Sequence, residues 1–309
     1  MPSAPLCFIA SAFLLALGSV LAKLLLTLSL DGSAGIAPLP FLSLQLLGGV
    51  GFLLIVKACR SSTRPHPPPW RLLQRPALAG VILGIGSLGT ILALALISAS
   101  EASVVFATQP MVILGLAALL LGERISPTVI LLCAIAIGGI LLIIGSGGLE
   151  GSPHRAAGLG CAGLSTLCAA LYVVWMRGHS IALDPSTSLL VVLGTAMAVS
   201  IAASGASTLM GLSYGGLGSP AVQAAAIATG ALYYGAAFLI YLQGLKTTEA
   251  AKAGIYLCLV PVFVIALAWG LLGERLSPLQ GLGAVLVIAA VGGVSWLSVR
   301  PPHSNSTSS

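Results

Sequence analysis

The sequence has very little charge. Only 6% of its 309 residues are Asp, Glu, Lys or Arg, and its mean hydropathy is +1.10. Soluble globular proteins carry about 25% charged residues. Because so few charged side chains are available to cover a surface exposed to water, the composition excludes an ordinary soluble protein and predicts a chain that faces lipid.

Side chains suited to catalysis or metal binding are scarce as well. The four histidines lie in predicted loops or in the tail, and the six cysteines form neither a Cys-x-x-Cys motif nor a Cys/His pair. The predicted spans contain no Asp and no His, so no metal or other cofactor is expected. A membrane-embedded enzyme would need catalytic groups at membrane depth, and the sequence therefore disfavours that function.

Ten apolar runs are long enough to form transmembrane helices. A span needs roughly 20 mostly apolar residues, and backbone groups in lipid must be paired within the chain. The runs lie near residues 6–29, 36–57, 77–99, 102–121, 127–146, 157–177, 187–211, 221–244, 250–272 and 279–299. The sequence thus predicts an all-α polytopic membrane protein. Its first run is taken as span 1 because it is too long for the core of a signal peptide.

The basic residues are unevenly divided between the two membrane faces. If the amino terminus is cytoplasmic, the outer loops contain only Arg155 and Arg275, and Lys23 lies within span 1. The inner face then carries ten cations: Lys57, Arg60, Arg64, Arg71, Arg75, Arg124, Arg177, Lys246, Lys252 and Arg300. This bias predicts cytoplasmic termini and accounts for the net charge of +6 without a nucleic-acid partner. The short loops suit a plasma (inner) membrane.

One charged octapeptide occurs twice. LLGERISP covers residues 120–127, and LLGERLSP follows 151 residues later at 271–278. The same shift superimposes the starts of spans 1 and 6. We therefore expect a first five-helix repeat at 1–147, a linker at 148–156, a second repeat at 157–300 and a short tail at 301–309. Because each repeat has an odd number of spans, the second repeat is inverted relative to the first.

Local chemistry explains most of the octapeptide. Gly122 and Gly273 suit the left-handed conformation that ends a helix, and the serines suit N-caps followed by proline at the first helical position. Each octapeptide thus predicts a tight helical hairpin. The remaining residues, Glu123 with Arg124 and Glu274 with Arg275, are expected to form interfacial ion pairs that orient the hairpins. A substrate contact is the alternative.

These motifs resemble the EamA-type ten-helix members of the drug/metabolite transporter superfamily. The resemblance covers nearly the whole chain and rests on the two octapeptides, on LALGSVLAKL in span 1 and on ALYVVWMRG in span 6. Gly18, Ser19 and Lys23 match the family pattern, whereas Leu17 replaces a Trp. Gln45 stands where many members have Arg. The resemblance implies a secondary transporter, commonly an exporter of amino acids or other small metabolites.

The resemblance also implies a central cavity lined mainly by spans 1, 3, 4, 6, 8 and 9. Polar or aromatic residues within such spans are the substrate-binding candidates, namely Gln109, Thr108, Tyr234, Tyr256, Tyr233 and Thr90. An unpaired amide in lipid costs roughly 2–7 kcal/mol, so Gln109 must face either another helix or the cavity. Span 2 is not in the set, which favours an interhelical role for Gln45. For Trp175 the interfacial aromatic belt is preferred.

Two prolines occupy equivalent positions in spans 4 and 9. Pro110 and Pro261 each remove a hydrogen bond to the carbonyl four residues earlier, at Phe106 and Leu257. Their shared register suits the broken helices that flank midplane sites in inverted-repeat transporters. The alternative is that prolines are simply more frequent in membrane helices than in soluble ones.

Three further charges are candidates for gating or orientation. Lys23 lies within span 1, where a role in gating or anion attraction and snorkelling to the outer interface are both open. Glu101 and Lys252 are equivalent under the repeat and lie at opposite membrane faces. They are candidate gates, although boundary charges commonly just occupy the interface.

The sequence as a whole favours a secondary transporter that exports or exchanges amino-acid-like or amphipathic metabolites by alternating access. Its expected partners are a small-molecule substrate and the lipid bilayer, and homodimer formation is left open. A non-transporting receptor or assembly subunit is the alternative. No Walker motif is present, which argues against ATP as the energy source.

Overall fold

The chain folds almost entirely into helices. The computed structural model describes residues 4–30, 36–60, 69–121, 126–145, 153–176, 185–210, 216, 218–245, 256 and 259–299. In the first half the helices are α1 (Ala4–Leu30), α2 (Pro38–Arg60), α3 (Trp70–Leu96), α4 (Ala99–Ala107), α5 (Gln109–Leu121) and α6 (Pro127–Gly145). In the second half they are α7 (Pro153–Met176), α8 (Pro185–Leu209), α9 (Pro220–Gly230), a π-helical segment (Ala231–Ala237), α10 (Phe238–Leu245), α11 (Leu259–Leu272) and α12 (Pro278–Val299).

These helices occupy the ten predicted span positions. Within the described ranges, seven helical stretches are long and apolar enough to cross a membrane: Pro5–Thr27, Pro38–Cys59, Trp70–Leu96, Ala99–Leu120, Pro153–Met176, Ser186–Leu209 and Pro220–Tyr241. Three shorter apolar helices, Pro127–Ile143, Leu259–Leu272 and Pro278–Val294, fill the other positions. The prediction of an all-α membrane protein is confirmed.

Contacts at the helix ends show that the two repeats are inverted. Lys23 near the end of α1 donates to the Leu94 and Ile97 carbonyls at the end of α3. Arg155 at the start of α7 lies at the same end of the molecule, where it pairs with Glu101. We call this end the Glu274 face. At the opposite end, the Lys57 face, Lys57 near the end of α2 donates to Thr187 at the start of α8. Span 1 therefore runs towards the Glu274 face, and span 6 runs away from it.

Helix packing repeats between the two halves. Helix α3 packs against α7 and α8 of the other half. The equivalent crossings are those of α1 with α10 and of α2 with α9. The α2/α8 and α6/α12 pairs map onto themselves when the halves are exchanged. Because α6 and α12 pack mainly on each other, with a core that includes Ala136, Val287 and Val291, this pair forms a second hydrophobic cluster beside the main one.

Glycines permit the close crossings in this arrangement. A Cβ added at Gly84 of α3 would lie 3.0 Å from Ala196 Cα in α8, and one added at Gly89 would lie 2.7 Å from the Cys161 carbonyl oxygen in α7. Small residues allow helix backbones to approach in this way within membranes. The Gly-x-Gly-x-x-Gly run of span 3 is thus a packing element, although its letters match a dinucleotide-binding pattern.

The second octapeptide forms the expected hairpin between α11 and α12. Gly273 has a φ of 66° directly after the last residue of α11. Ser277 caps α12 by accepting from the Gln280 N–H, and the Gln280 side chain accepts from the Ser277 N–H. In the first octapeptide, Ser126 accepts from Val129 N–H at 3.4 Å, while Gly122 lies outside the described residues.

Span 4 is divided into two helices. The α4 helix ends at Ala107, Thr108 forms a turn, and the Met111 and Val112 N–H groups donate to the Thr108 carbonyl. Pro110 lies in the first turn of α5, where the absence of an N–H leaves no helical bond unmade. The break that the sequence predicts in span 4 is therefore present, at Thr108, and Pro110 lies directly after it in the first turn of the next helix. Pro261 likewise lies in the first turn of α11, and Leu257 before it lies outside the described residues.

Candidate functional site

A small cavity lies where the two repeats meet. Its free volume of about 10 Å³ has room for roughly one water molecule. The first repeat contributes Gly18, Ser19, Ala22, Leu42, Gln45, Ser87, Thr90, Ile91 and Leu94 to its wall, and the second contributes Tyr233 and Tyr234. Sites for drug-sized ligands are roughly 300–1,000 Å³. The cavity in this conformation is therefore a constricted one.

The π-helical segment supplies the aromatic side of the cavity. Tyr233 and Tyr234 lie on this segment with ring centroids 4.8 Å apart and planes at 76°. The Tyr233 hydroxyl faces Ser19 on α1, and the Tyr234 hydroxyl faces Ser87 on α3. Ser11 on α1 donates to the Ala237 carbonyl at the end of the segment. The two rings thus lie between the first and third spans, and π-helical turns frequently occur at functional sites.

Two further polar groups complete the wall. Gln45 Nε2 donates to Thr229 Oγ1 at 3.2 Å, and the Thr229 hydroxyl donates to the Ala226 carbonyl. Thr90 Oγ1 lies 2.6 Å from Ser165 Oγ on α7 and donates to the Gly86 carbonyl. Because the Thr229 hydrogen is used for Ala226, the Thr229 oxygen must accept from Gln45, and this bond fixes the orientation of the Gln45 amide.

A lysine lies above the cavity on the Glu274 face. Lys23 Nζ donates to the Leu94 carbonyl at 2.7 Å and the Ile97 carbonyl at 2.9 Å. These carbonyls belong to the end of α3, where the helix dipole favours a cation. The Lys23 ammonium thus bonds to the last turn of a neighbouring helix, and its role in gating or anion attraction stays a prediction.

A glutamate from the second octapeptide binds the other side of the same corner. Glu274 Oε1 accepts from Ala99 N at 2.9 Å, and Oε2 accepts from Ser100 N at 3.1 Å and Ser100 Oγ at 2.8 Å. Ser98 accepts from the next N–H, that of Glu101. The first amides of α4 are thereby satisfied by an anion at the positive end of the helix. We call Lys23 and Glu274 together the corner clamp, since they hold the α3–α4 corner from both sides.

An ion pair links the α3–α4 corner to α7. Arg155 Nη2 lies 2.8 Å from Glu101 Oε1 and also donates to the Ile143 carbonyl at the end of α6. Gln280 Nε2 donates to the same Glu101 oxygen at 3.0 Å. The starts of α4, α7 and α12 and the end of α6 are thus joined by one polar network.

The expected ion pair within the second octapeptide is wrong. Glu274 bonds to α4 as described above, and the Arg275 side chain is exposed. The carboxylate bonds across the molecule because the first amides of a buried helix need acceptors, whereas Arg275 is already exposed to solvent. Glu123 and Arg124 lie outside the described residues, as does Lys252.

The substrate-binding candidates divide into two groups. Thr90, Tyr233 and Tyr234 line the cavity. Thr108 and Gln109 do not: Thr108 donates to the Val105 carbonyl at the α4–α5 turn, and Gln109 begins α5. Tyr256 is also elsewhere, because its ring stacks on Phe8 at 5.4 Å near the Lys57 face.

Sequence reasoning missed several wall residues. Gln45 was assigned to an interhelical bond, which it forms, but it also faces the cavity because α2 packs directly on the π-helical segment. Ser19 and Ser87 were not selected. The only signal at Ser87 is a polar residue within an apolar span, which many serines that bond to their own helix share, and Ser19 adds its match to the family pattern. Gln280 was detectable, since Ser-x-x-Gln after a helix break is a capping-box pattern.

Two inverted helical repeats around a polar cavity define a class of integral membrane protein that is common among transporters. The chain belongs to the EamA-like transporter family, whose model matches it over residues 2–145 and again over 156–296. It is therefore a membrane transporter, and the resemblance noted in its motifs is confirmed. No curated protein matches the chain. A solved structure titled only "Crystal structure of protein" shares the fold, with a TM-score of 0.66, 21% identity and coverage of 98% of this chain and 100% of its own.

Proposed function

We propose that the chain is a secondary transporter that exports or exchanges small organic metabolites by alternating access around the central cavity. The observation that carries this proposal is the position of the cavity, whose wall is shared by α1, α2 and α3 of one repeat and the π-helical segment of the other. Relative motion of the two repeats necessarily changes such a cavity. A site within a single repeat would move as a rigid unit.

The polar network on the Glu274 face supports a gating role for that face. The corner clamp and the Glu101–Arg155 pair tie helices of both repeats together directly beside the cavity-lining residues Ala22 and Leu94. Access from this face requires the network to separate. Lys23, Glu101 and Glu274 are therefore assigned to the gate, and Arg155 and Gln280 join them.

The charge bias sets the orientation within this proposal. Lys57, Arg71 and Arg75 lie at the Lys57 face, which is placed in the cytoplasm together with both termini. Arg75 lies over the Trp175 ring, with 6.0 Å between the guanidinium carbon and the ring centre. Such an aromatic–cation pair suits a membrane interface. The gate described here then faces the outside of a plasma membrane.

Efflux from proteoliposomes tests the proposal. Liposomes are loaded with a complex metabolite extract, with and without the purified full chain, and mass spectrometry follows which compounds leave. Selective, saturable loss of one chemical class is expected. If no compound leaves selectively, with or without an imposed pH gradient, the transport proposal is wrong.

A matched pair of variants connects that flux to the cavity. Tyr234→Phe removes a hydroxyl that faces Ser87 on the cavity wall, whereas Tyr241→Phe makes the same change on a ring that contacts Phe8 outside the cavity. Loss of one hydrogen bond of about 1 kcal/mol predicts a change of roughly fivefold in the flux of the Tyr234 variant. Equal flux through both variants would show that transport does not depend on this cavity.

A further inference from the structure

The chemistry of the cavity wall points to a narrower substrate class. We infer that the cavity accepts a small uncharged solute that has a planar or apolar portion and an amide, carbonyl or hydroxyl group, and that it excludes ions and zwitterions. This inference rests on the transport function proposed above and selects, within its substrate range, the amphipathic compounds over the amino-acid-like ones.

No residue on the described wall is charged. Its polar members are the amide of Gln45 and the hydroxyl groups of serine, threonine and tyrosine, and the rest are glycine, alanine, leucine and isoleucine. An ionised substrate would therefore meet no opposite charge on these side chains. The penalty for burying an unpaired ion in a protein is several kcal/mol, and a zwitterion carries two charges.

The nearest charges are already balanced and committed. Within the polar network of the Glu274 face, Lys23 and Arg155 are matched in number by Glu101 and Glu274, and Arg275 next to Glu274 is exposed. Lys23 follows the wall residue Ala22 in the sequence, but its ammonium group bonds to the α3 carbonyls. Glu274 is bonded to α4, and Arg155 to Glu101. An ionic substrate would have to break one of these contacts to obtain a counter-charge.

Gln45 provides the polar recognition element. Its Nε2 donates to Thr229, and the Thr229 hydrogen is used for Ala226, so the orientation of the amide is fixed. One further N–H and the carbonyl oxygen of Gln45 remain available, since the structure gives the described part of the chain no contact that uses them. An adjacent donor and acceptor on one wall match a carboxamide or lactam group, which also carries one of each.

The tyrosine pair and the apolar wall fit the other part of such a solute. Tyr233 and Tyr234 present two rings at 76°, and Leu42, Ile91 and Leu94 supply aliphatic surface. Aromatic rings in this arrangement favour edge or face contacts with a planar group. In this conformation the cavity has room for roughly one water molecule, so a solute enters it only when the two repeats move apart.

Probes that share a ring and differ in net charge test this inference. Proteoliposomes containing the full chain are loaded with nicotinamide, nicotinate and 3-(aminomethyl)pyridine, with uracil, orotate and 5-(aminomethyl)uracil, and with amino acids, at neutral pH. Protein-free liposomes measure passive leakage. We expect protein-dependent efflux of nicotinamide or uracil to exceed that of the charged members by roughly tenfold or more, because an uncompensated charge costs well over 1.4 kcal/mol.

The other outcomes overturn the inference in distinguishable ways. Selective efflux of an amino acid or of a charged probe, or of ionised compounds from the metabolite extract, would refute the uncharged class and leave the transport function intact. Selective efflux of uncharged extract compounds supports it even if these probes stay inside. No selective efflux from either load would overturn the transport function and this inference with it.

Introducing a charge on the wall sharpens the test. In Gln45→Glu, efflux of the aminomethyl probes relative to nicotinamide and uracil should rise by roughly tenfold, since an opposite charge becomes available. Gln243→Glu makes the same change on an exposed side chain of α10 and should leave the ratio unaltered. Ser87→Asp repeats the change at a second wall position in case Gln45→Glu does not fold. An unaltered ratio in a folded wall variant would contradict the inference.

Discussion

The two repeats are alike in how their helices pack and unlike in the polar groups they carry. The α3/α8 crossing has its counterpart in α2/α9, and the α3/α7 crossing in α1/α10. Most of the polar wall residues have no such counterparts, although Thr90 falls on another hydroxyl-bearing residue, Tyr241. A shift of 151 residues places Ser19 on Ala170, Gln45 on Ala196, Ser87 on Phe238, Tyr233 on Ile82 and Tyr234 on Leu83.

The two membrane faces also differ in the polar groups that they carry. The positions equivalent to Lys23 and Arg155 are Val174 and Ala4, and the position equivalent to Glu101 is Lys252. Of the two clamp residues, only Glu274 has a counterpart of the same type, Glu123. The polar network of the Glu274 face therefore cannot be reproduced at the Lys57 face by the duplicated sequence. Packing is the common property of the repeats, and the chemistry lies where they differ.

The largest expected effect concerns the shared packing. Gly80 and Gly230 serve the equivalent α3/α8 and α2/α9 crossings, and a Cβ added at Gly230 would collide with the Gln45 carbonyl. Because that obstacle is backbone, Gly230→Ala should lower the free energy of unfolding by about 3 kcal/mol, the upper end of overpacking costs. Thermal unfolding in detergent measures it. Gly194→Ala, with no atom within 4 Å of the added Cβ, is the control. Equal stability of the two variants would show that the crossings do not depend on these glycines.

The next largest effect concerns the inequality between the faces. Glu274→Ala removes an anion that accepts three hydrogen bonds at the start of α4. Hydrogen bonds to charged groups are worth about 1.5–3 kcal/mol, so opening of the Glu274 face should increase roughly tenfold or more. The readout is the labelling rate, by a membrane-impermeant maleimide, of a cysteine placed at Ala22 in an otherwise cysteine-free chain. Arg275→Ala changes an exposed neighbour and should label at the parental rate. Equal rates for both variants would mean that the clamp does not close this face.

A third test asks whether the corner clamp acts as one unit. Lys23 and Glu274 hold opposite sides of the α3–α4 corner, so removing either one weakens what the other holds. The Lys23→Met and Glu274→Ala changes should therefore be non-additive, with a coupling energy of about 0.5–3 kcal/mol. The four labelling rates of the double-mutant cycle provide this value. If the effects of the two changes simply add, Lys23 and Glu274 do not act through the same corner.

The smallest effect concerns a bond between equivalent helices. Ser43 on α2 and Ser200 on α8 have hydroxyl oxygens 2.9 Å apart. Interhelical hydrogen bonds in membranes contribute about 0.6 kcal/mol on average, so Ser43→Ala should lower the unfolding free energy by that amount. Ser207→Ala, whose hydroxyl bonds within its own helix, is the comparison. If Ser43→Ala lowered the unfolding free energy as much as Gly230→Ala, polar bonds would contribute as much as packing to the repeat interface.

Much of the fold was predictable because lipid imposes a simple rule on the sequence. Each span must be an apolar run of helical length, so ten positions could be assigned before any contact was known. Gly273, Ser126 and Ser277 were also predictable, since helix ends depend on residues within one turn of them. The division of span 4 was indicated by Pro110, but its position at Thr108 follows from a local turn.

Only part of the site could be predicted, since its partners are far apart in the chain. Tyr233, Tyr234 and Thr90 were identified from residue type, and the structure places them on the wall. Thr108, Gln109 and Tyr256 have equally suitable chemistry, yet they lie elsewhere. Residue type does not reveal which face of a span points to the cavity, and the π-helical segment alters that facing locally.

The sequence alone determined the class of protein, the span positions, the duplication and the inversion, because each depends on residue order, run length and the parity of spans. The tertiary structure decided what Glu274 does and which residues form the cavity. Glu274 bonds to Ala99 and Ser100, more than 170 positions earlier in the chain. The physical reason is that helix dipoles and buried amides select their partners by distance in space, and the glycine-mediated crossings of the two repeats set that distance.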